Sequence, residues 1–583
     1  KEIFFAVIST TITLVAVFFP IVFMDGMTGK LFREFSLVIS GSVIISSFAA
    51  LTFTPMLATK LLIKREKQSW FYAKTEPFFE GMNRLYSRSL AAFLGKRWIA
   101  LPFTFITICL IGILWNAVPA EMAPLEDRSQ ISINTRGAEG VTYEYIRDYT
   151  EDINQLVDSI LPDAEAVTAR VSSGSGNVRI TLHDMKDRNY TQMEVAEKIS
   201  KAVQKKTMAR SFVQQQSSFG GRRGSMPVQY VLQATNLEKL EEVLPKFMAK
   251  VYENPVFQMA DVDLKFSKPE ARIQINRDKS SIMGVSTKNI AQTLQYGLSG
   301  QRMGYFYMNG KQYEILGEIN RQQRNKPADL KAIYVRSNSG DMIQLDNLIE
   351  LESGIAPPKL YRYNRFVSAT ISAGLADGKT IGQGLDEMDK IAKETLDDTF
   401  RTALSGDSKE YRESSSSLMF AFILAILLIY LILAAQFESF KDPLIIMLTV
   451  PLAIAGALVF MYFGDITMNI FSQIGIIMLI GLVAKNGILI VEFANQKQEA
   501  GEDKMSAIKD AALQRLRPIL MTSASTVLGL IPLAFATGEG CNQRIAMGTA
   551  VVGGMVVSTL LTMYIVPAIY SYISTNRIKK LQE

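Results

Sequence analysis

Long apolar runs occupy both ends of this chain, and a polar stretch from Pro119 to Arg412 separates them. A helix that crosses a bilayer needs about 20 predominantly apolar residues. Eight runs meet that requirement. Ile3–Met24, Phe35–Leu62 and Trp98–Val118 precede the polar stretch; Leu418–Gln436, Leu444–Phe463, Met468–Ala494, Ile519–Ala536 and Ala546–Ile573 follow it. Trp98 and Trp115 stand near the two ends of the third run, where interfacial aromatics concentrate. The pattern predicts a polytopic α-helical membrane protein with an α+β domain outside the bilayer.

The basic residues orient it. Lys64, Arg65, Lys67, Lys74, Arg84, Arg88, Lys96 and Arg97 lie between the second and third runs, Lys497, Lys504, Lys509, Arg515 and Arg517 before Ile519, and Arg577, Lys579 and Lys580 in the tail. With eight spans all three segments fall on one side, which the positive-inside rule makes cytoplasmic. The polar stretch then lies outside the cytoplasm. In the first basic loop, Phe71, Phe78, Phe79, Met82, Tyr86, Leu90 and Phe93 recur at helical spacing. They predict an amphipathic helix, lying on the membrane surface or packed on other protein.

Within the polar stretch the period changes. Gln130–Thr135 reads as a strand, Tyr143–Ile160 as a helix, Ala166–Val171 and Val178–His183 as strands, Gln192–Val203 as a helix and Ser211–Gln216 as a strand. This βαββαβ order is the ferredoxin-like split motif. A second set starts with Val228–Ala234 and Leu237–Val251 and resumes near Val367–Ser372 and Thr380–Leu396. The region between, from about Lys268 to Leu360, reads as an insertion with a short hairpin around Asn338–Asp341.

The first two apolar runs recur as the last two. At a constant offset Pro20 meets Pro532, Gly26 meets Gly538, Gly41 meets Gly553, Pro55 meets Pro567, Thr10 meets Thr522 and Thr13 meets Ser525. Duplicated halves are common in large transporters. The chain starts at Lys1 with no initiator methionine and no signal peptide, and it reads as a piece of a longer protein. On the repeat logic the whole would hold twelve spans in roughly 1000 residues.

Composition narrows the chemistry. The 583 residues are 48% apolar and carry a net charge of +6, with bases spread among acids. Nucleic-acid binding has no support. Cys109, Cys541 and the single His183 form no metal spacing and no disulfide framework, so no metal site and no histidine-based catalysis are expected. The Gly174–Gly176 and Gly220-Gly221 stretches lack the lysine of a phosphate-binding loop. No cofactor is expected, and the energy for any transport comes from an ion gradient or from ATP bound elsewhere.

Lys485 sits inside an apolar span, in Gly481-Leu-Val-Ala-Lys-Asn-Gly-Ile-Leu-Ile-Val491. A lysine at a helix centre costs about 2.5–3.5 kcal/mol on insertion scales, and such a residue usually faces a bundle interior with a partner. Glu492 falls towards one end of the span and Asp465 beyond the other, so the counter-charge is expected outside this chain. A carboxylate beside a buried lysine stays ionised until protonation weakens the pair and frees the helices to shift. Alternatively Lys485 snorkels to the cytoplasmic face. Asn486 bonds a carboxylate or packs between helices. Arg515 and Thr522, seven apart, share one helical face. They read either as the entry and a relay of a proton path or as a membrane anchor and a packing hydroxyl. Tyr230 and Leu232 share one face of a strand, as pocket liners or as ordinary core.

These segments resemble the resistance–nodulation–division (RND) transporters. Gly481 to Ala494 followed by Arg515-Leu-Arg-Pro-Ile-Leu-Met-Thr-Ser523 is similar to their tenth and eleventh helices. Ala434-Ala-Gln-Phe-Glu-Ser-Phe440 with Val450-Pro451 is similar to their eighth-to-ninth junction, and Phe19-Pro20 through Thr54-Pro-Met-Leu-Ala58 to their fifth and sixth. The resemblance points to the hydrophobe/amphiphile branch. It implies a secondary active transporter rather than an enzyme: a homotrimer in the bacterial inner membrane, exporting small amphiphilic substrates with a periplasmic adaptor and an outer-membrane channel. It also implies that Lys485 pairs with aspartates on a helix this chain lacks, and that Asn486, Arg515 and Thr522 match positions tied to proton passage.

By the same resemblance, residues 1–62 are two membrane helices ending the first repeat, 63–97 a cytoplasmic linker, 98–118 a membrane helix and 119–226 the first porter subdomain. Residues 227–267 with 359–411 form the second, split porter subdomain, 268–358 a docking region, 412–574 five membrane helices and 575–583 a cytoplasmic tail. Thr168 opens the stretch to Asn177 that matches a switch loop, here shorter and without phenylalanine; Thr168 joins Tyr230 and Leu232 as a candidate pocket residue. Competing readings are a protein-export auxiliary motor, a sterol- or lipid-sensing receptor and a metal-ion exporter. The long insertion counts against the first and Lys485 against the second. The methionines scatter through apolar runs, as packing explains.

Overall fold

The structure, a computed structural model, describes residues 2–24, 26–61, 70–215, 226–357, 359–376 and 378–575. Lys64, Arg65, Lys67, Gln216, the Gly220-Gly221 pair, Arg577, Lys579 and Lys580 lie outside them, as does the side chain of Phe71.

Four helices open the chain: α1 (Glu2–Val22), α2 (Gly26–Leu61), α3 (Trp70–Gly95) and α4 (Ala100–Ala117). A first α/β unit follows, with β1 (Gln130–Arg136), α5 (Tyr143–Ile160), β2 (Ala166–Ser172), β3 (Ser175–Thr181), α6 (Gln192–Val203) and β4 (Arg210–Gln215). Its strands lie in the order β2-β3-β1-β4, all antiparallel, as the split motif requires. Alternation along β1 buries Ile131 and Ile133 against α5 and α6, beside Val178 and Ile180 of β3.

A second unit begins with β5 (Val228–Ala234), α7 (Leu237–Glu253) and β6 (Phe257–Val262). The insertion then runs through β7 (Lys268–Ile275), α8 (Arg277–Ile282), α9 (Thr287–Ser299), β8 (Gln301–Met308), β9 (Lys311–Gly317), β10 (Tyr334–Arg336), β11 (Met342–Gln344) and β12 (Ile349–Ala356). It has its own small core around Ile290, Leu345 and Leu348. The expected hairpin at Asn338–Asp341 joins β10 to β11. The longer β8–β9 hairpin turns at Asn309 and Gly310, both at positive φ, as a tight two-residue turn demands. The second unit is completed by β13 (Tyr361–Tyr363), β14 (Phe366–Leu375), α10 (Ile381–Thr395) and β15 (Arg401–Leu404). β14 pairs with both β5 and β6, which closes the unit across the insertion.

Tyr230 and Leu232 are buried in the core of this second unit, 2% and 0% exposed. The Tyr230 ring stacks on Phe247, and its hydroxyl donates to Asp389 at 2.9 Å. The pocket-liner expectation for this pair is corrected: α7 and α10 cover that strand face, so both residues are core. Thr168 is exposed on β2.

The chain ends in α11 (Gly406–Phe437), α12 (Lys441–Met447), α13 (Thr449–Phe463), α14 (Ile470–Glu499), α15 (Lys504–Ala534) and α16 (Cys541–Ile573). Among the described residues seven helices are long and apolar enough to cross a membrane: α2, α4, α11, the α12–α13 pair, α14, α15 and α16. The first expected span is represented by a shorter apolar helix, Val7–Val22. Helices α11 and α15 start well before the apolar runs at Leu418 and Ile519, because polar turns extend them.

α14 is the central helix: 78% of its apolar window is buried, against none of the window in α2. Small residues let its neighbours close in. A side chain at Gly554 of α16 would place its Cβ 2.1 Å from Leu479 and 2.9 Å from the Ala453 carbonyl. Gly481 faces Leu14 and Val17 of α1 in the same way.

The repeated helices carry the same local geometry. Gly26 and Gly538 both adopt positive φ, +83° and +86°. The Thr10 hydroxyl donates to the Val7 carbonyl at 3.0 Å, and its counterpart Thr522 donates to Ile519 at 3.1 Å. The amphipathic helix is α3, and it packs on protein. Tyr86 and Leu90 are buried, and the Tyr86 hydroxyl donates to the Met563 carbonyl of α16 at 2.6 Å.

Between α4 and the first unit, the linker is tied at both ends. Glu126, 1% exposed, accepts the Asn542 and Gln543 amides at the start of α16, at 3.4 and 2.8 Å. Asp127 accepts from Arg188 at 2.5 Å and from the Gln192 amide at 2.9 Å at the start of α6.

Candidate functional site

The start of α14 is fixed by Asn469, whose side chain accepts the Phe471 and Ser472 amides at 3.0 Å while Ser472 accepts the Asn469 amide at 2.8 Å. That reciprocal cap satisfies the first free donors of the helix. It anchors the register of α14, and four turns further on Lys485 faces α15.

The Lys485 ammonium donates to the Thr526 hydroxyl of α15 at 3.4 Å. No carboxylate among the described residues lies within ion-pair distance of it. Glu492 is two turns away and accepts from Gln496 at 3.0 Å. Asp465 is in the turn after α13. Thr526 sits well away from the basic end of α15, so the ammonium does not run to that end.

Asn486 is fully buried. Its amide donates to Ser523 of α15 at 3.3 Å and to Thr559 of α16 at 3.4 Å, and Thr559 donates to Ser523 at 3.0 Å. Its carbonyl oxygen has no hydrogen-bond partner among the described residues, nor do the hydroxyls of Ser558 and Thr562 along α16. An unsatisfied buried polar atom costs about 1–3 kcal/mol. The three mark a polar seam along the contact between α14 and α16.

Arg515 and Thr522 are not in this cluster. The Arg515 guanidinium lies 4.3 Å over the Phe493 ring, two helical turns along α14 from Lys485. Thr522 is exposed on α15, one turn from Thr526, and among the described residues bonds only its own helix. The sequence reading missed Ser523, Thr526 and Thr559. The available signal was the hydroxyl-rich run Thr522-Ser-Ala-Ser-Thr526 inside an apolar helix.

A second buried network ties α12, α14 and α16. The Tyr570 hydroxyl donates to Asn495 at 2.5 Å and accepts from Gln498 at 2.7 Å, while Asn495 donates to Asp442 at 3.2 Å. Tyr570→Phe removes one hydroxyl from two buried amides. The expected cost is about 1–3 kcal/mol, read as a lower unfolding midpoint of the full-length protein in detergent.

A helical bundle with a half-buried lysine, and two α/β units between its helices of which the second is interrupted by an insertion, defines a polytopic membrane protein. Its family is specific. The sequence model of the AcrB/AcrD/AcrF family matches residues 1–574, and the chain belongs to that RND family. An uncharacterized transporter of Haemophilus influenzae is 31% identical over 591 residues, covering 99% of this chain and 57% of that protein. The chain therefore spans little more than half the length of that relative.

Proposed function

We propose that this chain is part of a proton-driven exporter of amphiphilic compounds in the bacterial inner membrane, and that Lys485 couples proton movement to helix movement. The observation that carries the reading is the Lys485 ammonium, held between transmembrane helices by a single hydroxyl with no carboxylate partner among the described residues. An ammonium in that setting calls for a counter-charge, and the rest of the full-length protein is where this reading places it.

The mechanism follows from the charges. While the partnering carboxylate is ionised, it draws Lys485 towards it and away from Thr526. Once it binds a proton from the periplasm, the attraction falls and Lys485 returns to the Thr526 hydroxyl. Each state selects a different packing of α14 against α15, and release of the proton to the cytoplasm resets the cycle. Asn486 keeps α14 tied to Thr559 of α16 in both states, while its bond to Ser523 of α15 belongs to the packing in which Lys485 meets Thr526. The same reading assigns Thr522, one turn from Thr526, to the proton route and Arg515 to its cytoplasmic end. Trimer formation, the periplasmic adaptor and the outer-membrane channel belong to the same proposal.

Full-length protein in proteoliposomes with an imposed pH gradient tests it. Adding an exported amphiphile is expected to speed collapse of the gradient. A gradient that decays at the same rate with and without substrate, for every compound the protein removes from cells, contradicts proton coupling.

A further inference from the structure

We infer that the uncovered face of the first sheet recognises an organic anion with an aromatic or apolar body. The strands β1, β2, β3 and β4 each carry one arginine, Arg136, Arg170, Arg179 and Arg210, and none contains an aspartate or glutamate. The pairing register places all four on the same side. Ile133 faces Val178 and Val213 on the helix-covered side, and the alternate positions point the other way. Arg136 lies opposite Arg210, and Arg179 lies opposite Thr168, diagonal to Arg170.

Like charges so placed destabilise a sheet unless something opposes them. For one pair something does: Asp261 of the second unit accepts from Arg136 at 3.0 Å and lies 3.8 Å from Arg210. Arg170 and Arg179 form no ion pair or hydrogen bond with any described residue. Between them the face is organised by amides, with Asn177 donating to Asn134 at 2.8 Å and Asn134 donating to Gln214 at 3.0 Å. Beside Arg136 and Arg170 lies a cavity of about 300 Å³ that Asn134, Asn177 and Phe212 help to line.

Unopposed guanidinium groups suit a carboxylate or sulfonate, which they bind with paired hydrogen bonds. Phe212 offers a ring face to the body of such a molecule. The cavity is at the small end of ligand sites, which fits one or two fused rings rather than a large macrocycle. This chemistry differs from that of a phenylalanine-lined trap and would favour acids over amines. As a substrate surface the face rests on the transport reading above; as a binding site it does not.

Naphthoate and naphthylmethylammonium have closely similar bodies and opposite charge. Titrated into detergent-purified full-length protein and followed by naphthalene fluorescence, naphthoate is expected to bind about tenfold more tightly or better. The paired variant Arg170→Gln with Arg179→Gln is expected to lose that factor, while Arg170→Lys with Arg179→Lys retains most of it. Equal affinity for the two probes overturns the inference. So does unchanged naphthoate affinity in the glutamine variant, and so does wild-type protein that binds neither, which would mean that acidic groups of the remaining protein occupy the arginines. Protein that binds naphthoate with this arginine dependence but moves no protons leaves the site standing and removes the transport reading instead.

Discussion

Lys485→Met in the full-length protein is expected to abolish substrate-dependent proton movement while leaving the fold as stable as wild type or more so. The two halves of that expectation come from different physics. Methionine keeps the length and apolar stem of lysine and removes the charge. Among the described residues the ammonium is held by one 3.4 Å contact to Thr526, so little bonding is lost. Removing one partner of a buried pair is costly only while the other keeps its charge. A carboxylate left without its lysine takes up a proton and becomes neutral, which avoids a buried bare charge. Transport fails because the proton no longer changes the force on α14. Thermal unfolding and proteoliposome proton flux on the same preparation check both halves. A variant that unfolds several degrees lower would make Lys485 a structural residue.

The second large effect lies outside the membrane. Arg188 is buried, 1% exposed in its side chain, and pairs with Asp127 at 2.5 Å. Its guanidinium also donates to Ser129 at 3.2 Å and to the Tyr190 carbonyl at 3.1 Å. Arg188→Met removes one partner of a buried pair and is expected to cost about 3–5 kcal/mol. Burial alone would raise the Asp127 carboxyl, but the Gln192 amide, the Arg188 guanidinium and the Ser129 amide outweigh it and hold the group below its ordinary 3.8. A carboxyl lowered on folding stabilises the native state above its unfolded value and loses that contribution as the pH falls through its folded value. The gap between wild type and variant is therefore expected to be full at neutral pH and to shrink below 3.8. A gap that does not change with pH would assign the loss to packing alone.

Much of the fold can be read from sequence where a signal extends over many residues. The apolar runs are long enough to define membrane helices, and the first βαββαβ unit has strong alternation and amphipathic helices. The second unit was harder, because its fourth-strand partner β6 (Phe-Gln-Met-Ala-Asp-Val) has no clean alternation and its remaining strands return after the insertion. At the site, Lys485 stood out because a charge inside an apolar helix has few explanations. Thr526, Ser523 and Thr559 did not, because a hydroxyl in such a helix can always bond its own backbone, as Thr522 does. Which hydroxyl meets the lysine depends on the antiparallel register of α14 and α15, and no local pattern encodes that. Tyr230 and Leu232 stay open in the sequence, as pocket or core, for a related reason. Alternation assigns residues to one strand face but does not say whether a helix covers it.

Coupling through α14 depends most on the partner of Lys485. Infrared difference spectra of the full-length protein, titrated across neutral pH, read that partner through its carboxyl stretch. The predicted result is an ionised carboxylate at neutral pH in wild type and a protonated carboxyl band, absent from wild type, in Lys485→Met. Identical spectra for the two proteins across the whole range would contradict it.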